Sequence, residues 1–211
     1  MGEAAQVVEF PRVAKGEKEP PKGRRARKKA APQFLQFEEI ERLFKAIREV
    51  RDRAIFRLAY HAGLRASEVG LLEMRDYQPR VDRIFVHRLK GSNSGDHHLC
   101  REESRALRAW LKVRGPEPGP IFTSKKRRPI SRKMLDVLMK QYGAAAGIPE
   151  KFRHFHILKH STATHLLSKG FNVERVQDWI GHANIQNTMI YAKVTNARRE
   201  EMGRELRDTW R

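Results

Sequence analysis

In the stretch HFHILKHSTATHLL, residues 154–167, His156, Lys159 and His160 stand at i, i+3 and i+4. On a helix those positions share one face. Two imidazoles and an ammonium on one face suit an anion, and histidine can donate or accept a proton near neutral pH. A solvated face, a metal site or internal hydrogen bonding would satisfy the same spacing. The remaining residues weigh against a metal: there is no His-Glu-x-x-His, and the single Cys100 is too few for a cysteine-based zinc site, although the chain holds nine histidines. No metal and no cofactor are expected.

Other residues could serve the same anion. Arg65 follows a glycine in AGLRASEVGLL, and a planar guanidinium can grip two oxygens at once. The competing reading of Arg65 is an ion pair with Glu68, one turn on. Lys90 opens the turn-rich KGSNSGD, with a solvated turn lysine as the plainer reading. IGHANIQNTMIYAKV sets His182 nine residues before Tyr191. The run Lys125, Lys126, Arg127 and Arg128 is the densest cationic stretch inside the folded region. As a loop it would touch backbone phosphate, or merely keep the protein soluble.

Composition narrows the partners. The 211 residues carry 44 Lys plus Arg against 25 Asp plus Glu, a net charge of +19. An excess of that size points to nucleic acid or an anionic membrane. No apolar run is long enough to span a bilayer, and MGEAAQVVEF has no secretory apolar core. Gln6 stands where a myristoylation signal after Gly2 would have Ser or Thr. One cysteine permits no internal disulfide and suggests a reducing compartment. Aromatic residues are too few and scattered for a platform that stacks single-stranded bases, and Trp179, between Val176 and Ile180, reads as core.

The elements that must position these residues follow from periodicity. Residues 1–33 form a basic arm: Lys15 to Lys29 holds eight basic and two acidic residues and cannot bury enough apolar surface to order alone. In FEEIERLFKAI, Ile40, Leu43, Phe44 and Ile47 make an amphipathic stripe. A second helix, Arg51 to Ala62, ends at Gly63, and Ser67 is positioned to cap a short helix through SEVGLLEM. VDRIFVHRL, 81–89, predicts a strand, with HHLC as its hairpin partner. Helices are expected over 101–114, 131–146 and about 155–169, then NVERVQDWI before Gly181, and a mixed-charge helix at 196–211. The fold class is therefore α+β: mainly α-helical with one small antiparallel sheet.

Taken in order, AGLRASEVGLL, LKG, HILKH and IGHANIQNTMIYAKV resemble the catalytic domain of the tyrosine recombinases, or phage-type integrases, over roughly residues 34–200. The resemblance implies a catalytic domain over 34–195, flanked by the arm and by the C-terminal helix. It implies cutting and rejoining of double-stranded DNA through a covalent 3′-phosphotyrosyl intermediate. Tyr191 would be the nucleophile, with Arg65 and Lys159 as cationic phosphate ligands. His156 would accept the tyrosine's proton and His182 would donate to the phosphate, an assignment open to exchange. Lys90 would protonate the 5′-oxygen, and His160 would hydrogen-bond within the fold. Two departures stand out: the family pattern His-x-x-Arg reads His156-Ile-Leu-Lys159 here, and the basic arm stands where relatives carry a helical DNA-clamping domain, so a catalytic domain alone is expected. Losing one well-placed donor would cost about 2–4 kcal/mol in the barrier, less for a lysine that keeps the charge. The alternatives are a DNA-binding protein of the same fold with weakened cleavage and a type IB topoisomerase-like relaxing activity. The implied setting is the nucleoid in the cytoplasm, with a monomer in solution, a tetramer at the DNA synapse, and residues 196–211 as a candidate subunit contact.

Overall fold

A computed structural model describes residues 33–89, 91–124 and 126–192, together with 203, 204, 206 and 207, which are helical. The expected basic arm, Lys90, Lys125 and most of the C-terminal segment lie outside the described residues.

Local chemistry sets the helix ends. Helix α1, Phe37–Ala46, starts where the Glu39 carboxylate accepts the Gln36 backbone N–H at 2.8 Å. Helix α2, Val50–Ala62, stops at Gly63, whose φ of 58° needs no Cβ. A short helix α3, Ala66–Val69, follows. The expected longer helix capped by Ser67 is corrected here. Arg65 is the cap position, and its N–H goes to the Glu68 carboxylate at 2.8 Å, so Ser67 lies inside the first turn.

The sheet is a three-stranded antiparallel meander in the order β1, Tyr77–Gln78, β2, Arg83–Val86, and β3, Gly95–His98. The strand expected over 81–89 is therefore shorter, and its partner begins two residues before HHLC, with Val86 opposite Gly95 and Arg83 opposite His98. The ladder ends at Val86 because the next residues take side-chain partners: His87 meets Asp76 at 2.9 Å, and the Arg88 N–H goes to Ser94 Oγ at 2.9 Å. Strand β1 was too short to show alternation.

Helices α4, Arg101–Arg114, and α5, Arg132–Ala145, fall where expected, the second capped by Ser131 Oγ accepting from Met134 at 3.2 Å. Helix α6, Ile157–Ser168, packs against α2, against α7, Val173–Ile180, and against α8, Gln186–Ala192. It is buried nearly all round, as a central helix must be. Its Ser161 is satisfied internally: Oγ donates to Ile157 O at 2.9 Å and accepts the Leu35 N–H at 2.9 Å. One large apolar cluster joins α1 to α5 with the sheet; a smaller one joins Ala163, Leu167, Val173, Val176, Ile180 and Tyr191. Among the described residues no helix is long and apolar enough to cross a membrane.

Two left-handed glycines end α2 and α7, and both are packed too closely for a side chain. A Cβ on Gly63 would lie 2.9 Å from Ile180 Cγ2, and one on Gly181, at φ 67°, would lie 2.7 Å from Arg88 Nε. Gly63→Ala is expected to destabilise the fold by about 2–4 kcal/mol from backbone strain plus overpacking, read as a lower urea midpoint.

Two histidines are built into the frame uncharged. His165 stacks on Phe37 at 3.8 Å and meets the Tyr60 hydroxyl at 2.7 Å, and its burial pushes it down to about 4. His97 lies 4.5 Å from the Trp179 ring, and burial, with Arg88 beside it, pushes it down to about 3. Below the ordinary value of 6.5 the unfolded chain takes up protons that the folded chain refuses. Stability should thus be full above pH 6.5 and fall by several kcal/mol as pH drops toward 4. Urea midpoints that stay level from pH 7 to pH 4.5 would contradict this.

Candidate active site

Arg65 leaves the Gly63 turn with a quarter of its side chain exposed, and one guanidinium nitrogen meets Glu68 at 2.5 Å. The competing ion-pair reading is thus present in the structure, but it engages one nitrogen of the fork. Glu68 is wholly buried and also binds Arg88 at 3.0 Å. Burial alone would raise its carboxyl. The Arg65 N–H, Arg88, the Arg65 side chain and Lys159 together outweigh that and hold it below the usual range.

Arg88 is the partner that the sequence reading missed. Its side chain is fully buried, and it donates to Gly63 O at 3.0 Å, Ala62 O at 2.6 Å and Trp179 O at 3.0 Å. Lys159, 1% exposed, donates to Gly63 O at 3.0 Å and to Ile180 O. Arg88 and Lys159 therefore hold the carbonyl ends of α2 and α7 together by donating hydrogen bonds, where helix dipoles present negative charge. Burial, beside Arg88 and Arg65, pushes the Lys159 ammonium down to about 6. Lys159 thus stands behind the surface on which it was expected to meet an anion.

The opening trio splits by depth. His156 is exposed, and its ring packs edge-on to His160 at 4.5 Å. His160 Nδ1 lies 2.6 Å from the Tyr191 hydroxyl. Tyr191 arrives from α8, a helix not read from the sequence, and is 2% exposed in the smaller apolar cluster. Burial pushes its phenol up to about 12, against the pull of Arg65. His182, placed by the Gly181 turn, is buried with Nδ1 3.0 Å from Thr188 Oγ1, its ring stacked 6.4 Å from that of Tyr191. Burial, with Lys159 and Arg65 nearby, pushes His182 down to about 3. The structure thus gathers Arg65, His156, Lys159, His182 and Tyr191, and adds Glu68, Arg88 and His160.

An open cleft of about 730 Å³ lies over Arg65 and His156, lined also by Arg132, Lys140, Arg153 and His154. Asp136 is the acid in its lining, and one carboxylate oxygen accepts the Phe155 N–H at 3.0 Å. Such a cleft attracts a polyanion. Lys126, Arg127 and Arg128 are exposed on a tight turn closed by Ser124 N–H to Arg128 O at 2.8 Å, apart from this lining. Trp179, expected as core, is half-buried: its Nε1 donates to His61 O at 2.8 Å. Among the described residues His61, Cys100 and Glu103 could bring metal-ligating atoms within 4.8 Å of one another, but Glu103 already faces Arg57 at 3.8 Å.

A parity signal could have exposed Arg88. Ile84, Val86 and Arg88 share one side of the strand pattern, and the first two are core. The cleft cations Arg132 and Lys140 lie eight residues apart on α5, and only the fold brings them over Arg65.

Comparison with known proteins agrees with this arrangement. The phage integrase family profile matches residues 33–198. The type 1 fimbriae regulatory protein FimB of Escherichia coli K12 is 34% identical over 174 residues, covering 79% of this chain and 86% of FimB. Tyrosine recombinase XerA of Thermococcus kodakarensis is 35% identical over 172 residues, and there the match spans 79% of this chain but 60% of XerA. A crystal structure of XerA recombinase superposes with a TM-score of 0.73 at 26% identity, covering 89% of this chain and 66% of that one. With the family profile spanning most of the chain and the fold and site residues assembled as described, the chain belongs to the phage integrase family, the tyrosine recombinases.

Proposed function

We propose that this protein cuts and rejoins double-stranded DNA at specific sites through a covalent 3′-phosphotyrosyl intermediate, with Tyr191 as nucleophile. The observation that carries the reading is the hydrogen bond between the buried Tyr191 hydroxyl and His160 Nδ1, with the His156 ring packed edge-on against His160 at the rim of a cleft lined by Arg65, Arg132, Lys140 and Arg153.

In this reading the DNA backbone enters the cleft and the scissile phosphate meets Arg65. Attack on phosphorus places extra negative charge on the non-bridging oxygens, and fixed cationic donors lower that barrier. Glu68 and Arg88 hold Arg65 at a set angle. His156 reaches the phosphate from the exposed rim, and His182 donates from the Gly181 turn. Lys90 supplies the proton to the 5′-oxygen. Lys126, Arg127 and Arg128 contact DNA outside the cleft. Recombination of two duplexes calls for four subunits at the synapse, with a monomer in free solution and the segment 196–211 as the contact between neighbours. The working place is the nucleoid of the cytoplasm.

Lys159 acts first as a brace. While its Nζ donates to the carbonyls of Gly63 and Ile180, it fixes the turns that carry Arg65 and His182. Phosphate arriving beside it would draw a proton back onto it and raise its pKa. This geometry is also what favours the second reading, a DNA-binding protein with weakened cleavage, because an ammonium bound to two carbonyls has less to offer a phosphate than a forked guanidinium.

The test is a protein–DNA adduct that survives denaturation, formed on a nicked suicide duplex whose site has been selected by binding from a randomised pool. Tyr191→Phe should yield no adduct. Lys159→Arg should form it about 10–100-fold faster, equivalent to roughly 1.4–2.7 kcal/mol. Strong DNA binding with no adduct from either the parent or Lys159→Arg would leave only the DNA-binding reading.

A further inference from the structure

We infer that His160 accepts the proton of the Tyr191 hydroxyl during strand cleavage and returns it during rejoining; this rests on the function proposed above. The role had been expected of His156.

Geometry separates the two histidines. His160 Nδ1 is 2.6 Å from the Tyr191 oxygen, within the reach required of a general base. Among the described residues the Tyr191 hydroxyl meets His160 and not His156, whose ring lies edge-on against that of His160 and whose exposed side chain lines the cleft. A proton acceptor must touch the hydroxyl, whereas a phosphate ligand must face the cleft, and here one residue does each. The i, i+4 spacing explains the division: α6 carries both rings one turn apart, so the inner ring serves the nucleophile and the outer one the substrate.

The tautomer follows from the contact. For Nδ1 to receive the phenol's hydrogen, Nε2 must carry the ring proton. Burial, with His154 and Lys159 close by, pushes His160 down to about 4, so the free protein holds it neutral and able to accept. The phenol, pushed up to about 12, needs such help. A DNA phosphate entering the cleft brings negative charge, which raises the basicity of the imidazole and favours the imidazolium that forms. In cleavage the Tyr191 O–H bond breaks and its proton passes to His160 Nδ1. The Tyr191 oxygen bonds to phosphorus, the bond from phosphorus to the 5′-oxygen breaks, and that oxygen takes a proton from the donor assigned above to Lys90. Rejoining reverses each transfer.

The experiment uses the full chain on the same selected suicide duplex, with 3,5-difluorotyrosine introduced at position 191. Fluorination acidifies the phenol and lessens its need for a base. His160→Asn leaves an amide oxygen near the place of Nδ1, able to accept a hydrogen bond but not a proton. It should slow adduct formation at saturating DNA about 10²–10⁴-fold, with DNA affinity and thermal midpoint near those of the parent. Difluorotyrosine should recover at least about tenfold of that loss, as expected when a deficit in base catalysis is relieved. His156→Asn should also be slow, but without recovery. His160→Gln is carried alongside in case the shorter side chain unfolds the helix. Recovery confined to His156→Asn would return the role to that residue. A His160→Asn protein that cleaves as fast as the parent, or that is slow but gains nothing from fluorination, would overturn the assignment. Absence of adduct from both the parent and Lys159→Arg would instead overturn the recombinase reading, and this inference with it.

Discussion

Four backbone carbonyls, at the ends of two helices, hold the site together. Ala62 and Gly63 close α2, and Trp179 and Ile180 close α7; all four accept hydrogen bonds from Arg88 or Lys159. Helix ends leave such carbonyls unsatisfied, and the helix dipole makes them negative. Bringing two of these ends together would be repulsive and would strand polar groups out of water. The buried donors Arg88 and Lys159 between them relieve both penalties, and Glu68 offsets the charge of Arg88 at 3.0 Å. The glycines at 63 and 181 are the steric condition, since a side chain at either would collide with Ile180 or Arg88.

Function enters at the residues that follow. Two positions after Gly63 comes Arg65, and directly after Gly181 comes His182. The same clasp that joins the helices thus sets the distance between Arg65 and His182. Burial, together with the basic groups held nearby, depresses the neighbouring imidazoles, so His182 and His160 rest uncharged in the free protein. A site prepared in this way gains charge when an anion enters, when the positive charge is useful. Its cost is a buried polar network whose members depend on one another.

Lysine at 159 changes the balance within that network. A guanidinium stays charged, whereas a buried ammonium can lose its proton, and here it is pushed down to about 6. The brace is therefore sensitive to its surroundings in a way an arginine would not be. The cleft above it carries Arg132, Lys140 and Arg153, a lining whose attraction for a polyanion depends on charge rather than on fine geometry.

Sequence alone determined the helices with strong periodicity, α1, α2, α4 and α5, because alternate burial along 3.6 residues per turn is written locally. It also determined the anionic class of partner, from net charge, and the set Arg65, His156, Lys159, His182 and Tyr191, because their motifs lie in order along the chain. Short elements escaped it: β1 has two residues, and α8 lies in a stretch where the motif, rather than a stripe, drew attention. Only the tertiary structure decided which way each side chain faces. His156 and His160 are one turn apart and alike in type, yet one meets the cleft and the other the tyrosine, because α8 packs against a single side of α6. Lys159 lies between them in sequence but is turned inward by the two carbonyls that only folding brings within its reach. Arg88 carried a local hint in its inward parity, but Glu68, Gly63, Ala62 and Trp179, which its guanidinium binds, lie 20 to 91 positions away, a juxtaposition that no local pattern contains.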